Sequence, residues 1–144
     1  MKTYVTIELN GQAIDKKFDT IDDAVGYAEQ HKKDVETDTL EINVYDTEGE
    51  MLEYQTSKRN PYSGDFEYYT WGIFGRDFDK ESGRCTDSEI LEELINSEEE
   101  AREIAEKLHK DKFSRFDTVS IESYLQTIDE NIGDVGKSYI IYGE

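Results

Sequence analysis

Asp87-Ser-Glu-Ile-Leu-Glu-Glu-Leu-Ile-Asn96, followed directly by Ser97-Glu-Glu-Glu-Ala-Arg-Glu-Ile-Ala-Glu-Lys-Leu-His-Lys-Asp111, is the stretch on which the fold turns. Thr86-Asp87-Ser88-Glu89 and Ser97-Glu98-Glu99-Glu100 both fit a capping box, in which a hydroxyl and a carboxylate three residues on satisfy free N–H groups at a helix start. Ile90, Leu91, Leu94 and Ile95 give the first segment an apolar helical face; Ala101, Ile104, Ala105 and Leu108 give one to the second. The expectation is two consecutive helices, broken at Asn96-Ser97.

The second of these has an echo near the N-terminus. Ala24-x-x-Tyr27-Ala28-Glu29-x-His31 matches Ala101-x-x-Ile104-Ala105-Glu106-x-Leu108 in spacing. Thr20 is the expected N-cap of the earlier helix, with Asp22 and Asp23 in its first turn and Lys32 and Lys33 in its last, as the helix dipole prefers. Both helices close on Lys-Asp, at Lys33-Asp34 and Lys110-Asp111. Each is followed by an alternating segment, Leu40 to Tyr45 and Val119 to Tyr124. The second also fits helical spacing (Ile121, Tyr124, Leu125, Ile128), and the echo decides for a strand.

Outward from these elements, Thr3 to Leu9 alternates as a half-buried strand and ends at the Asn10-Gly11 turn signal. Met51 to Gln55 returns as a hairpin strand after the turn Asp46 to Gly49. Phe66 to Phe74 is an aromatic strand with Gly72 and Gly75 as weak points, and Arg76 to Cys85 a polar loop. Asn131 to Gly136 reads as a turn region before a last strand, Ser138 to Tyr142. The fold class is therefore α+β in a single domain, 1–144. Two related β-α-β-β halves, 1–57 and 66–144, form antiparallel-rich sheets with helices packed on one face, plus one extra acidic helix, Asp87 to Asn96. The loop 58–65 joins them and carries Pro61 and the small basic island Lys58-Arg59.

Composition narrows the function. The chain has 144 residues and a net charge of −19, yet ten tyrosines, six phenylalanines and a tryptophan supply enough burial to reject disorder. Such acidity repels nucleic acid and anionic membranes and calls for a basic protein partner. Cys85 is alone, so no intrachain disulfide can form. The N-terminus lacks the apolar run of a signal peptide, which gives a cytoplasmic expectation.

Catalytic signals are weak. His31 takes the slot of Leu108 and reads as structural; His109, among lysines, reads as solvated. Cys85 has no placed base. No cofactor is expected and no enzymatic activity. The best metal candidate is Asp77, Asp79 and Glu81 before Gly83, but the glycine and the downstream Glu89 each arrive one residue late for a calcium loop. What remains is acidic surface. Between Asp87 and Glu106 stand Asp87, Glu89, Glu92, Glu93, Glu98, Glu99, Glu100, Glu103 and Glu106, opposed only by Arg102. On a helix such carboxylates stand roughly 5–6 Å apart, close to the phosphate density of a nucleic-acid strand.

In size, acidity and mixed make-up the chain resembles small anti-defence proteins of phages and plasmids, the anti-CRISPR and antirestriction proteins that imitate nucleic acid. The resemblance implies a stoichiometric inhibitor in the basic DNA or RNA channel of a nuclease complex. Those carboxylates would then contact the partner, with Tyr68, Tyr69 and Trp71 as anchors. An immunity protein or antitoxin against a basic toxin nuclease uses the same surface logic. A calcium-binding or enzymatic module at Asp77–Glu81 is the alternative from another class, and a homodimer stays open.

Overall fold

The computed structural model of the chain describes residues 2–31, 38–62, 64–110, 116–127 and 132–142. Eight strands and two helices follow in the order β1 (Thr3–Leu9), β2 (Gln12–Ala13), α1 (Ile21–Gln30), β3 (Thr39–Asp46), β4 (Met51–Lys58), β5 (Glu67–Phe78), β6 (Cys85–Ile95), α2 (Glu98–Lys110), β7 (Thr118–Thr127) and β8 (Ile132–Tyr142). They form two four-stranded antiparallel sheets, ordered β2-β1-β3-β4 and β6-β5-β7-β8. The fold is mixed α+β and mostly strand.

The two sheets have the same order, and the repeat extends to individual residue pairs. Leu9 faces Gln12 and Glu8 faces Ala13 in the first half; Gly75 faces Glu89 and Phe74 faces Ile90 in the second. The bridge Val5–Phe18 has its counterpart in Trp71–Ile95, and the pair Ile7–Ile42 in Ile73–Ile121. Two residues after Phe18, the Thr20 hydroxyl accepts the Asp23 N–H; two after Ile95, the Ser97 hydroxyl accepts the Glu100 N–H. Each half is thus a hairpin, a helix and a second hairpin. They differ most at the first hairpin's tip, which is Asn10-Gly11 in one half and Arg76 to Ser88 in the other.

This corrects the reading of Asp87 to Asn96 as an extra helix. The segment is mostly the edge strand β6, the enlarged counterpart of β2. Its chain reversal is set by Asp79, whose carboxylate accepts the Glu81 N–H and the Ser82 hydroxyl, and by Gly83 at φ 71°. After that turn the chain returns along the long, aromatic β5, and ladder pairing outweighs the helical spacing of Ile90, Leu91, Leu94 and Ile95. Thr86, expected as a helix cap, hydrogen-bonds the Asp77 carbonyl instead. The apolar period is absorbed by breaks in the β5–β6 register and by Leu94 at φ 57°. The turn expected through Gly136 is also strand: β8 pairs Ile132 with Gln126 and Val135 with Tyr124, through register shifts. Lys32, Lys33, Asp34, Asp111, Ile128 and Asn131 lie outside the described residues.

Each helix joins a core with its own sheet. Ile21, Ala24, Val25 and Ala28 of α1 cluster with Val5, Ile7 and Leu9 of β1 and Leu40, Ile42 and Val44 of β3. Ala101 and Ala105 of α2 cluster with Trp71, Ile73, Ile95, Val119 and Ile121. The first core also takes Phe66 and Tyr68, from the start of the second half. On the second sheet Gly75 makes room for Phe116: a Cβ there would stand 2.2 Å from Phe116 Cδ2. Gly75→Ala is expected to cost about 2 kcal/mol by urea titration, and little beyond the single loss in a Phe116→Ala background.

Polar groups tie the halves together. The Asn96 carboxamide accepts the Ile21 N–H (2.9 Å) and donates to the Asp19 carbonyl (2.6 Å) and the Thr3 hydroxyl (3.1 Å). Thr3 donates in turn to Glu100. The Gln55 carboxamide pairs with both backbone groups of Tyr69, as a strand residue would. Arg59, of the expected linker, reaches Glu29 and lies over the Phe66 ring. Where β4 meets α2, the Glu53 carboxylate accepts the first N–H of α2, from Glu98, and a bond from the Trp71 side chain. Burial pushes the Glu53 carboxyl up to about 7, against the lowering effect of those bonds. This seam encloses a cleft of about 530 Å³.

Candidate functional site: an acidic edge strand

β6 is the outer strand of its sheet, and Cys85 to Ile90, Glu92 and Glu93 are exposed. Its pairing places Asp87, Glu89 and Glu92 opposite Asp77, Gly75 and Ile73, on the sheet face that packs against α2. Asp87 and Asp77 therefore sit directly across the ladder as like charges. Asp77 offsets part of this by accepting the Asp117 N–H at 2.8 Å. No basic residue interrupts the chain from Asp87 to Ala101, so the edge strand and the first turn of α2 form one run of negative charge.

The carboxylates in the first turn of α2 are less exposed than those of β6. Glu98, Glu99 and Glu100 occupy its first turn, the favoured end of the helix dipole, and are half-buried. Glu98 stands 3.7 Å from Arg102, and Glu100 takes the Thr3 hydroxyl. Glu103 is half-buried and Glu106 exposed. The structure thus separates the acidic residues into an exposed set on β6 and a largely structural set at the start of α2.

Of the three expected anchors, only Tyr69 is accessible. Tyr68 is 1% exposed and spends its hydroxyl on Asp22 at 2.6 Å, and Trp71 is 5% exposed, stacked on Tyr139. They were legible as aromatic, but their burial follows from alternation in β5, which puts Tyr68 in one core and Trp71 in the other. The expected cation loop is a turn: Asp79 is held below the usual carboxylate range by the Glu81 N–H and the Ser82 hydroxyl, and Glu81 is exposed. Among the described residues no three His, Cys, Asp or Glu side chains converge to hold a metal. Cys85 is exposed, with its thiol on the Asp87 carbonyl, and His31 is half-buried against the Tyr27 ring. No described helix is long and apolar enough to cross a membrane.

Glu53 and Arg76 carry no functional signal in the sequence alone. Glu53 lay in an ordinary return strand. Arg76 makes a bidentate pair with Glu122 at 3.1 and 2.9 Å on the sheet face away from α2, and that partner holds its guanidinium charged. Neither pairing leaves a local signature in the sequence. No protein-family model, curated protein or solved structure matches the chain.

Proposed function

We propose that this chain is a non-enzymatic inhibitor that occupies the positively charged nucleic-acid channel of a nuclease complex, with β6 as the phosphate surrogate. The supporting observation is the exposed edge strand with Asp87, Glu89 and Glu92 on one sheet face and Glu93 beside them. A strand advances about 3.4 Å per residue, so carboxylates on alternate residues of one face stand roughly 7 Å apart, about twice the axial rise per phosphate of one DNA strand. An extended acidic edge can lie along a groove built for a phosphate backbone. The net charge of −19 favours encounter with such a channel.

Charge on an edge strand also prevents unwanted pairing between sheets. Displacement of nucleic acid separates the two roles. A labelled DNA duplex is bound to RNA-guided and restriction nuclease complexes, and its anisotropy is followed as the protein is added. The expected result is displacement from at least one complex at near-equal stoichiometry, weakening steadily as salt rises, with no binding of the protein to the duplex itself. Failure to displace duplex from any of them at low salt would leave β6 with the protective role alone.

A further inference from the structure

We infer that the cleft between the halves is a binding site for an organic cation, a primary ammonium or a guanidinium, with Glu53 as its counter-charge. The cleft is lined by Tyr54 and Tyr69, with the nearly buried Trp71 behind them, and carries Glu53 and Glu98 at its α2 end. Tyr54 and Tyr69 are exposed, with the Tyr69 ring edge resting against Gly136. Aromatic faces beside carboxylates recognise a cation; an anion would meet Glu53 and Glu98. Glu53 accepts two hydrogen bonds, from the Glu98 N–H and the Trp71 side chain, which leaves lone pairs on its carboxylate for a donor entering the cleft.

The groups facing Glu53 make it responsive. Glu98 from α2 disfavours its charge and Lys137 from β8 favours it, while Tyr54 from β4 and Tyr69 from β5 flank the cleft. With burial holding the carboxyl at about 7, half of the molecules are protonated at neutral pH. A bound cation favours the carboxylate and expels that proton. Among the described residues Lys137 is the one cation lining the cleft; its backbone N–H is fixed by the Ser123 hydroxyl at 2.8 Å, while its ammonium is carried on a flexible four-carbon stem. The inference does not rest on the edge-strand reading, because Glu53 lies on β4.

Calorimetric titration of the whole chain tests this with argininamide and n-butylammonium as free cations, and with the peptide Gly-Arg-Gly for a side chain presented by a partner. Each is run at pH 7 in two buffers of different ionisation enthalpy. The expected result is one bound cation with release of about half a proton, and roughly fifteenfold weaker binding at pH 5.5, given a Glu53 carboxyl titrating at about 7. Tighter binding of the peptide assigns the site to a partner's side chain, and tighter binding of a free cation to a small ligand. Glu53→Gln, which keeps an acceptor for the Glu98 N–H, should weaken binding about tenfold. Equal binding by wild type and Glu53→Gln, or no heat with any of the three at millimolar concentration, overturns the inference.

Discussion

Glu53→Gln is expected to stabilise the protein at pH 8 by about 3 kcal/mol. The carboxyl titrates at about 7 in the folded chain, against 4.5 as its ordinary value. Below 4.5 it is protonated in both folded and unfolded chains and costs nothing. Between 4.5 and 7 the folded chain holds the extra proton, so stability falls as pH rises, and the loss is complete above 7. Glutamine can accept the Glu98 N–H without carrying the charge. Urea titrations at pH 5 and pH 8 should show the variant pulling ahead of wild type by at least about 2 kcal/mol over that range. Parallel loss in both proteins would mean that the Glu53 carboxylate is solvated in the folded state. A charge kept at such a cost to stability is the kind of group that function retains.

Asn96→Ala is expected to cost about 3 kcal/mol, a fall in Tm on the order of 10 °C. The substitution strips three hydrogen bonds from a side chain that is 5% exposed. It leaves the Ile21 N–H, at the start of α1, and the Asp19 carbonyl without this partner. Thr3→Ala removes one of the three bonds and should cost about 1 kcal/mol. Thermal unfolding followed by circular dichroism at fixed pH compares them. If Asn96→Ala proves no worse than Thr3→Ala, the polar seam is not what orients the halves.

The elements that the sequence disclosed are those held by local chemistry. Thr20 with Asp22 and Asp23, Ser97 with its glutamates, the Asn10-Gly11 turn and the alternation in Thr3 to Leu9 each carry their own signal, and the helices and strands stand where those residues put them. The echoing segments Ala24–Ala28 and Ala101–Ala105 lie on α1 and α2, each preceded by two strands rather than the expected one. Asp87 to Asn96 departs from the expectation because its local pattern is helical while its hairpin partner is the preceding strand: β5 pairs with it through Trp71, Ile73 and Gly75. The second half's capping box at Thr86 satisfied the wrong rule. Glu53 and Asn96 were illegible for a different reason, since each acquires its meaning from a residue in the other half.

That change of element alters where function is sought. The carboxylates of Glu98 and Glu100 help to build the fold, while those of β6 stand exposed along an open edge. The proposal is tested most directly by comparing two charge-reversed proteins for displacement of duplex from a nuclease complex that the wild type inhibits. One carries Lys at Asp87, Glu89, Glu92 and Glu93; the other carries Lys at the α2 positions Glu99, Glu103 and Glu106. The account predicts that reversing β6 weakens displacement by at least about a hundredfold at low salt, with a much smaller loss for α2. Equal displacement by wild type and the β6 variant would contradict it.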